Sequence, residues 1–180
     1  GTVNYLGIPA VETGLRHIES VGIDRIHDRV AALTDWMLDQ LRTLQHSNGT
    51  PLVKSYGPQT TEMRGGTISF NLTDANGTYF DYRRVEMLAA QENISLRTGC
   101  FCNPGSGEIV HDFSRDKIAQ FFDLNQRNSF DELYETASSA FNIYPSSIRI
   151  SVGIATNFED VYTFIQFVRS FVDRDAATVN

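Results

Sequence analysis

Apolar residues recur at three- and four-residue steps from Ile23 through Ile26, Val30, Leu33, Met37 and Leu41 to Leu44. That spacing gathers them into one stripe, so the run predicts a helix of about six turns with one buried face. Ahead of it, Val11, Leu15, Ile18 and Val21 give an apolar side to a helix opening near Ile8, with Pro9 suited to a first turn and Gly22 to an end. His46-Ser-Asn-Gly49 breaks the long helix. The period then changes from helical to extended. Leu52–Tyr56 and Thr67–Leu72 read as strands, and Asp74-Ala-Asn-Gly77 as a turn. A helix is predicted from Tyr82 to Glu92, with Val85, Leu88 and Ala89 inward, and a strand over Ile94–Arg97.

Residues 108–142 read as two polar helices broken near Asn125 to Ser129. Ser147–Val152 alternates, with Ile148, Ile150 and Val152 on one face and Arg149 on the other. Asn157 followed by Asp160 has the pattern of a capping box opening a last helix to about Val172. The order of elements predicts an α+β fold, a small mixed or antiparallel sheet packed with helices. Residues 1–45 form a helical connection with the long helix, 46–172 a small α/β domain, and 173–180 a frayed, disordered tail.

Composition changes this picture little. At 180 residues the chain can bury one real core, and 41% hydrophobic with 21% charged residues is an ordinary globular balance. A formal charge of -7 argues against a nucleic-acid partner. No apolar run approaches the ~20 residues that span a bilayer, and no secretory leader is visible. The first residue, Gly1, sits in sequence that reads like the middle of a protein, so a piece of a longer chain is expected. Two closely spaced cysteines make a poor disulfide framework, and a cytosolic location is expected despite four Asn-x-Ser/Thr triplets.

The cysteines carry the candidate chemistry. Cys100 and Cys102 lie in a segment rich in glycine, with Pro104, which favours an exposed loop. An exposed thiol near a positive charge becomes an effective thiolate, whereas a buried one behaves as a small hydrophobe. From the residues alone both readings stand. His17, His27, His46 and His111 show no ligand spacing with the cysteines, so no metal site is expected.

The stretch Leu96-Arg-Thr-Gly-Cys-Phe-Cys-Asn-Pro-Gly105 closely resembles the active-site loop of class V aminotransferase-fold enzymes, especially molybdenum cofactor sulfurases and related cysteine desulfurases. Gly1-Thr-Val-Asn4 is similar to a family segment that reaches the partner subunit's cofactor phosphate. Ile148-Arg-Ile-Ser-Val-Gly153 with Asn157-Phe-Glu-Asp-Val161 is similar to the family's final strand and helix. The resemblance runs from Gly1 to about Val172 and implies the C-terminal small domain of a fold-type I pyridoxal-phosphate enzyme. It implies Cys102 as the persulfide-forming nucleophile, Arg149 and Arg97 as substrate-binding residues, and Gly1 and Thr2 as phosphate-binding residues in a homodimer. The substrate would be L-cysteine or another amino acid, and the sulfur acceptor stays open, because Gly105-Ser-Gly107 replaces the Gly-Ala-Cys common in the sulfurases. The lysine that holds the cofactor is expected upstream, since Lys54 and Lys117 stand in no matching motif. Two alternatives follow from the same resemblance: a class V aminotransferase, lyase or epimerase that does not use the cysteine, and a non-catalytic domain of this fold.

Overall fold

The computed structural model describes residues 2–99 and 146–179. Two helices come first, α1 (Ile8–Val21) and α2 (Ile23–Thr43), separated by Gly22 at φ 95°. Next are strands β1 (Val53–Tyr56) and β2 (Thr67–Leu72), helix α3 (Tyr82–Gln91), strands β3 (Arg97–Gly99) and β4 (Ser147–Ser151), and helices α4 (Phe158–Arg169) and α5 (Ala176–Val179). The strands form one antiparallel sheet in the order β1-β2-β4-β3. This is the α+β architecture the residue pattern predicts.

Alternation decides the faces. Ile68, Phe70, Leu72, Ile148 and Ile150 are buried on one side of the sheet, where Phe70 meets Phe164 of α4 edge-on at 5.9 Å between ring centroids. Met37, Leu38 and Leu41 of α2 and Val161, Ile165 and Val168 of α4 complete the core, with Val85 and Ala89 of α3. The C-terminal half of α2 therefore buries its stripe as the spacing predicts. The N-terminal half and all of α1 do not: α1 has no buried residue, and Leu6, Val11 and Leu15 are exposed.

Helix α4 opens with the predicted capping box. Asp160 N–H donates to Asn157 Oδ1, and Asn157 N–H donates to Asp160 Oδ2. One strand is shifted. The predicted Ile94–Arg97 becomes Arg97–Gly99, because Ile94 N–H bonds back to the Ala89 carbonyl and Asn93 takes a left-handed φ of 59°. Both tie residues 93 and 94 to the end of α3 rather than to the sheet.

The segment beyond α4, expected to fray, is held. Asp74 accepts from the N–H groups of Asn76, Thr78 and Ala176. Burial alone would raise the Asp74 carboxyl, but those backbone donors outweigh it and hold it below the usual carboxylate range. Asp173, bound by the hydroxyl and N–H of Ser47, is likewise held below that range. Buried His46 completes the joint: its Nδ1 accepts from Asp173 N–H and its Nε2 bonds the Thr73 carbonyl. Ala176 and Val179 of α5 are buried in consequence.

Candidate functional site

The face of the sheet away from the core carries the polar side chains. Register places Tyr56, Ser69, Arg149 and Arg97 in one row across all four strands. Beside it, Lys54 pairs with Asn71 and Ser147 with Gly99. Beyond Arg149 on its other side, the Thr67 and Ser151 hydroxyls lie 3.1 Å apart. The sequence placed Arg149 on this face. The pairing of β3 with β4 brings Arg97 directly opposite it, a long-range neighbour that no local pattern reveals.

Two like charges opposed across an antiparallel pair repel, since paired Cβ atoms stand only about 4.5–5.5 Å apart. An arrangement of this kind is stabilised by an anion that both guanidinium groups can reach. Arg97 is exposed and Arg149 half-buried. Asn71 strengthens the frame beside it: its buried Nδ2 donates to the Ser146 carbonyl at 2.9 Å and fixes the entry to β4.

Residue Gly99 ends β3 at φ 108°, a conformation few side chains tolerate, and the chain runs from it in sequence to Cys100 and Cys102. Both cysteines and Gly1 lie outside the described residues, as do His111 and Lys117. Thr2 is exposed ahead of α1. Lys54 donates to the Tyr79 hydroxyl at 2.8 Å and stands over the Tyr56 and Tyr79 rings. His17 and His27 lie on α1 and α2 and are exposed.

An open cleft of about 510 Å³ lies on the other side of β4, lined by Met37, Ile150, Val152 and Phe164 with Asn93 and Glu159 at its rim. Ile150 and Arg149 alternate along one strand, so the cleft and the arginine row occupy opposite faces. Among the described residues, no arginine, lysine, histidine or cysteine lines it. Among the described residues there is no group of three or more side chains able to hold a metal, and no helix long and apolar enough to cross a membrane.

A family profile described as Aminotransferase class-V matches residues 1–164. The chain belongs to the class-V aminotransferase family. It is 30% identical over 176 residues to a molybdenum cofactor sulfurase of Solanum lycopersicum. It is 32% identical over 175 residues to one of Oryza sativa subsp. japonica. Each alignment takes in 94% of this chain but 20% of the relative, so the chain spans about a fifth of the length of these curated relatives. An apo cysteine desulfurase from Thermococcus onnurineus NA1 superposes with a TM-score of 0.64 at 20% identity, over 96% of this chain and 32% of that one. That likeness establishes the fold. This class-V chain thus carries two arginines in register on the sheet's polar face, next in sequence to its cysteine segment.

Proposed function

We propose that this chain is the part of a pyridoxal-phosphate-dependent, cysteine desulfurase-type enzyme that grips the amino-acid substrate and supplies the sulfur-accepting nucleophile. The observation that carries the reading is the register of Arg97 against Arg149, with Gly99 leading from the same strand toward Cys102 in sequence. Class-V membership and the sulfurase relatives support pyridoxal phosphate in the intact protein. The fit of the described residues is to the substrate's carboxylate rather than to the cofactor: a paired guanidinium site suits a bidentate anion, while Lys54 is engaged by Tyr79. Gly1 and Thr2 would meet the phosphate of a partner subunit's cofactor in a homodimer. Cytoplasmic sulfur transfer is the setting we infer.

In this mechanism Arg149 holds the carboxylate of L-cysteine and Arg97 shares the charge, which fixes the substrate's orientation before reaction. The bound cofactor supplies an electron sink for the substrate carbon. Cys102, as thiolate, attacks the substrate sulfur. The new S–S bond forms as the substrate Cβ–S bond breaks, and the electron pair left on carbon takes up a proton. Alanine and a Cys102 persulfide result, with no external oxidant or reductant.

The test is made on the full-length protein. It releases alanine from cysteine, and Cys102→Ser abolishes release while retaining cofactor absorbance. Undiminished turnover in that variant removes Cys102 from the mechanism and favours a class-V reaction that does not use the thiol. A protein that binds no cofactor and releases no alanine is instead a non-catalytic domain of this fold.

A further inference from the structure

We propose that Glu86 is a positioning residue for this site, acting through Thr98 to fix the strand that bears Arg97 and leads to Cys102. The inference rests on the sulfur-transfer reading above and deepens it. Strand β3 has few means of support. It is three residues long and, among the described residues, pairs with β4 alone and lies last in the sheet order. A short edge strand held by one ladder shifts easily unless something else restrains it.

Helix α3 provides that restraint. Asp81 caps its N-terminus by accepting from Arg83 N–H at 2.7 Å, and Val85 and Ala89 sit fully in the core. From the same helix, Glu86 Oε2 accepts the Thr98 hydroxyl at 2.8 Å in a half-buried contact. Thr98 is paired with Ile148, so its side chain lies on the core face of the sheet. Alternation then turns its neighbour Arg97 to the opposite face, level with Arg149. A carboxylate acceptor on a core-anchored helix thus fixes Thr98 from behind, and the backbone transmits that position to Arg97 on one side and Gly99 on the other. Glu86 touches no reacting atom in this account. It sets the height and register of β3, and so the spacing of the two arginines and the point from which the chain departs toward the nucleophile.

The experiment uses the full-length protein with its cofactor. Glu86→Ala and Thr98→Val should each lower kcat for alanine release by about 10- to 100-fold, the scale set by misplacement of reacting groups from a distance. The double variant should fall no further than either single one. Glu86→Gln and Thr98→Ser keep an acceptor and a hydroxyl respectively, and should restore most of the rate. Thermal unfolding is followed in parallel, because a merely structural defect would lower the midpoint and inactivate in proportion, without rescue by the conservative pair. Amide exchange at Thr98 and Gly99 gives a readout free of turnover: faster in Glu86→Ala, unchanged in Glu86→Gln. Unchanged exchange in Glu86→Ala, or faster exchange with unchanged kcat, overturns the role of Glu86 and leaves the sulfur-transfer reading standing. Absence of alanine release from the unmodified protein overturns that reading, and the role of Glu86 with it.

Discussion

Two adjacent glycines, alike in sequence, should respond in opposite ways to the same substitution. Gly66 lies where β2 begins, against Val152 just past β4 and Val30 of α2, and its carbonyl accepts from Val152 N–H at 2.8 Å. A methyl group placed there would stand 2.6 Å from the Val152 carbonyl oxygen, 2.7 Å from Val152 Cγ2 and 2.8 Å from Val30 Cγ1. The first of these is backbone and cannot swing aside. Overpacking of this kind costs about 1–3 kcal/mol, and weakening the Val152–Gly66 hydrogen bond adds about 1 kcal/mol. Lower freedom in the unfolded chain offsets about 0.4–1 kcal/mol. Gly66→Ala should therefore lose about 2–3 kcal/mol, or about 4–12 °C of unfolding midpoint for a domain of this size. At Gly65 an added Cβ meets nothing within 4 Å, and the backbone is outside the left-handed region. Gly65→Ala should stay within about 1 kcal/mol of the parent, on the stabilising side. Urea denaturation with thermal scans of both variants makes the comparison. Equal midpoints would refute the proposed contact of Gly66 with Val152 and Val30, and with it the placement of β4 against α2.

The remaining predictions concern the C-terminal joint, the first helix and the arginine row. Asp74→Ala should destabilise by about 2–3 kcal/mol at neutral pH, since it strands the buried Ala176 N–H and opens the 74–78 turn. Because the folded carboxyl is held below its ordinary value, its contribution is present above that ordinary value and lost as pH falls through the folded one. The gap between parent and variant in urea titrations should accordingly close in acid, and a gap independent of pH would count against the charged acceptor. Val11→Lys and Leu15→Lys, at sites 60% and 57% exposed, should leave the midpoint within about 0.5 kcal/mol while lowering binding of an apolar dye. A clear loss of stability would mean that α1 packs on this domain. In the full-length protein, Arg149→Ala should raise KM for cysteine about 100-fold and Arg149→Lys about tenfold, because lysine keeps the charge but not the fork. Equal KM values for all three would remove Arg149 from substrate binding.

What could be read from the sequence divides along local and non-local physics. The capping box at Asn157 and Asp160 needs only residues three apart, and it formed as predicted. The stripe of α2 is set by helical period alone, and Leu33, Met37 and Leu41 are buried by it. On α1 the stripe of Val11, Leu15 and Ile18 was equally legible, yet burial was not, because period specifies a face and says nothing of what covers it. Strand β3 failed for a related reason. Ile94 and Leu96 alternate like a strand, but a strand exists only where a partner supplies hydrogen bonds, and β4 pairs Arg97, Thr98 and Gly99 instead.

The site follows the same division. Arg149 could be assigned its face from Ile148 and Ile150 on either side, a local inference. Its opposition to Arg97, and the support Thr98 receives from Glu86, depend on register and on packing between distant segments. Those non-local facts also carry the chemical content. A lone arginine on a strand could serve an ordinary surface ion pair, whereas a second one directly across the ladder gathers two cationic side chains on one face. Residues that conflict locally while the surrounding fold is consistent mark the place where stability has yielded to function. Here the β3–β4 pair sets Arg97 opposite Arg149, and under the proposed function this is where the substrate carboxylate would bind.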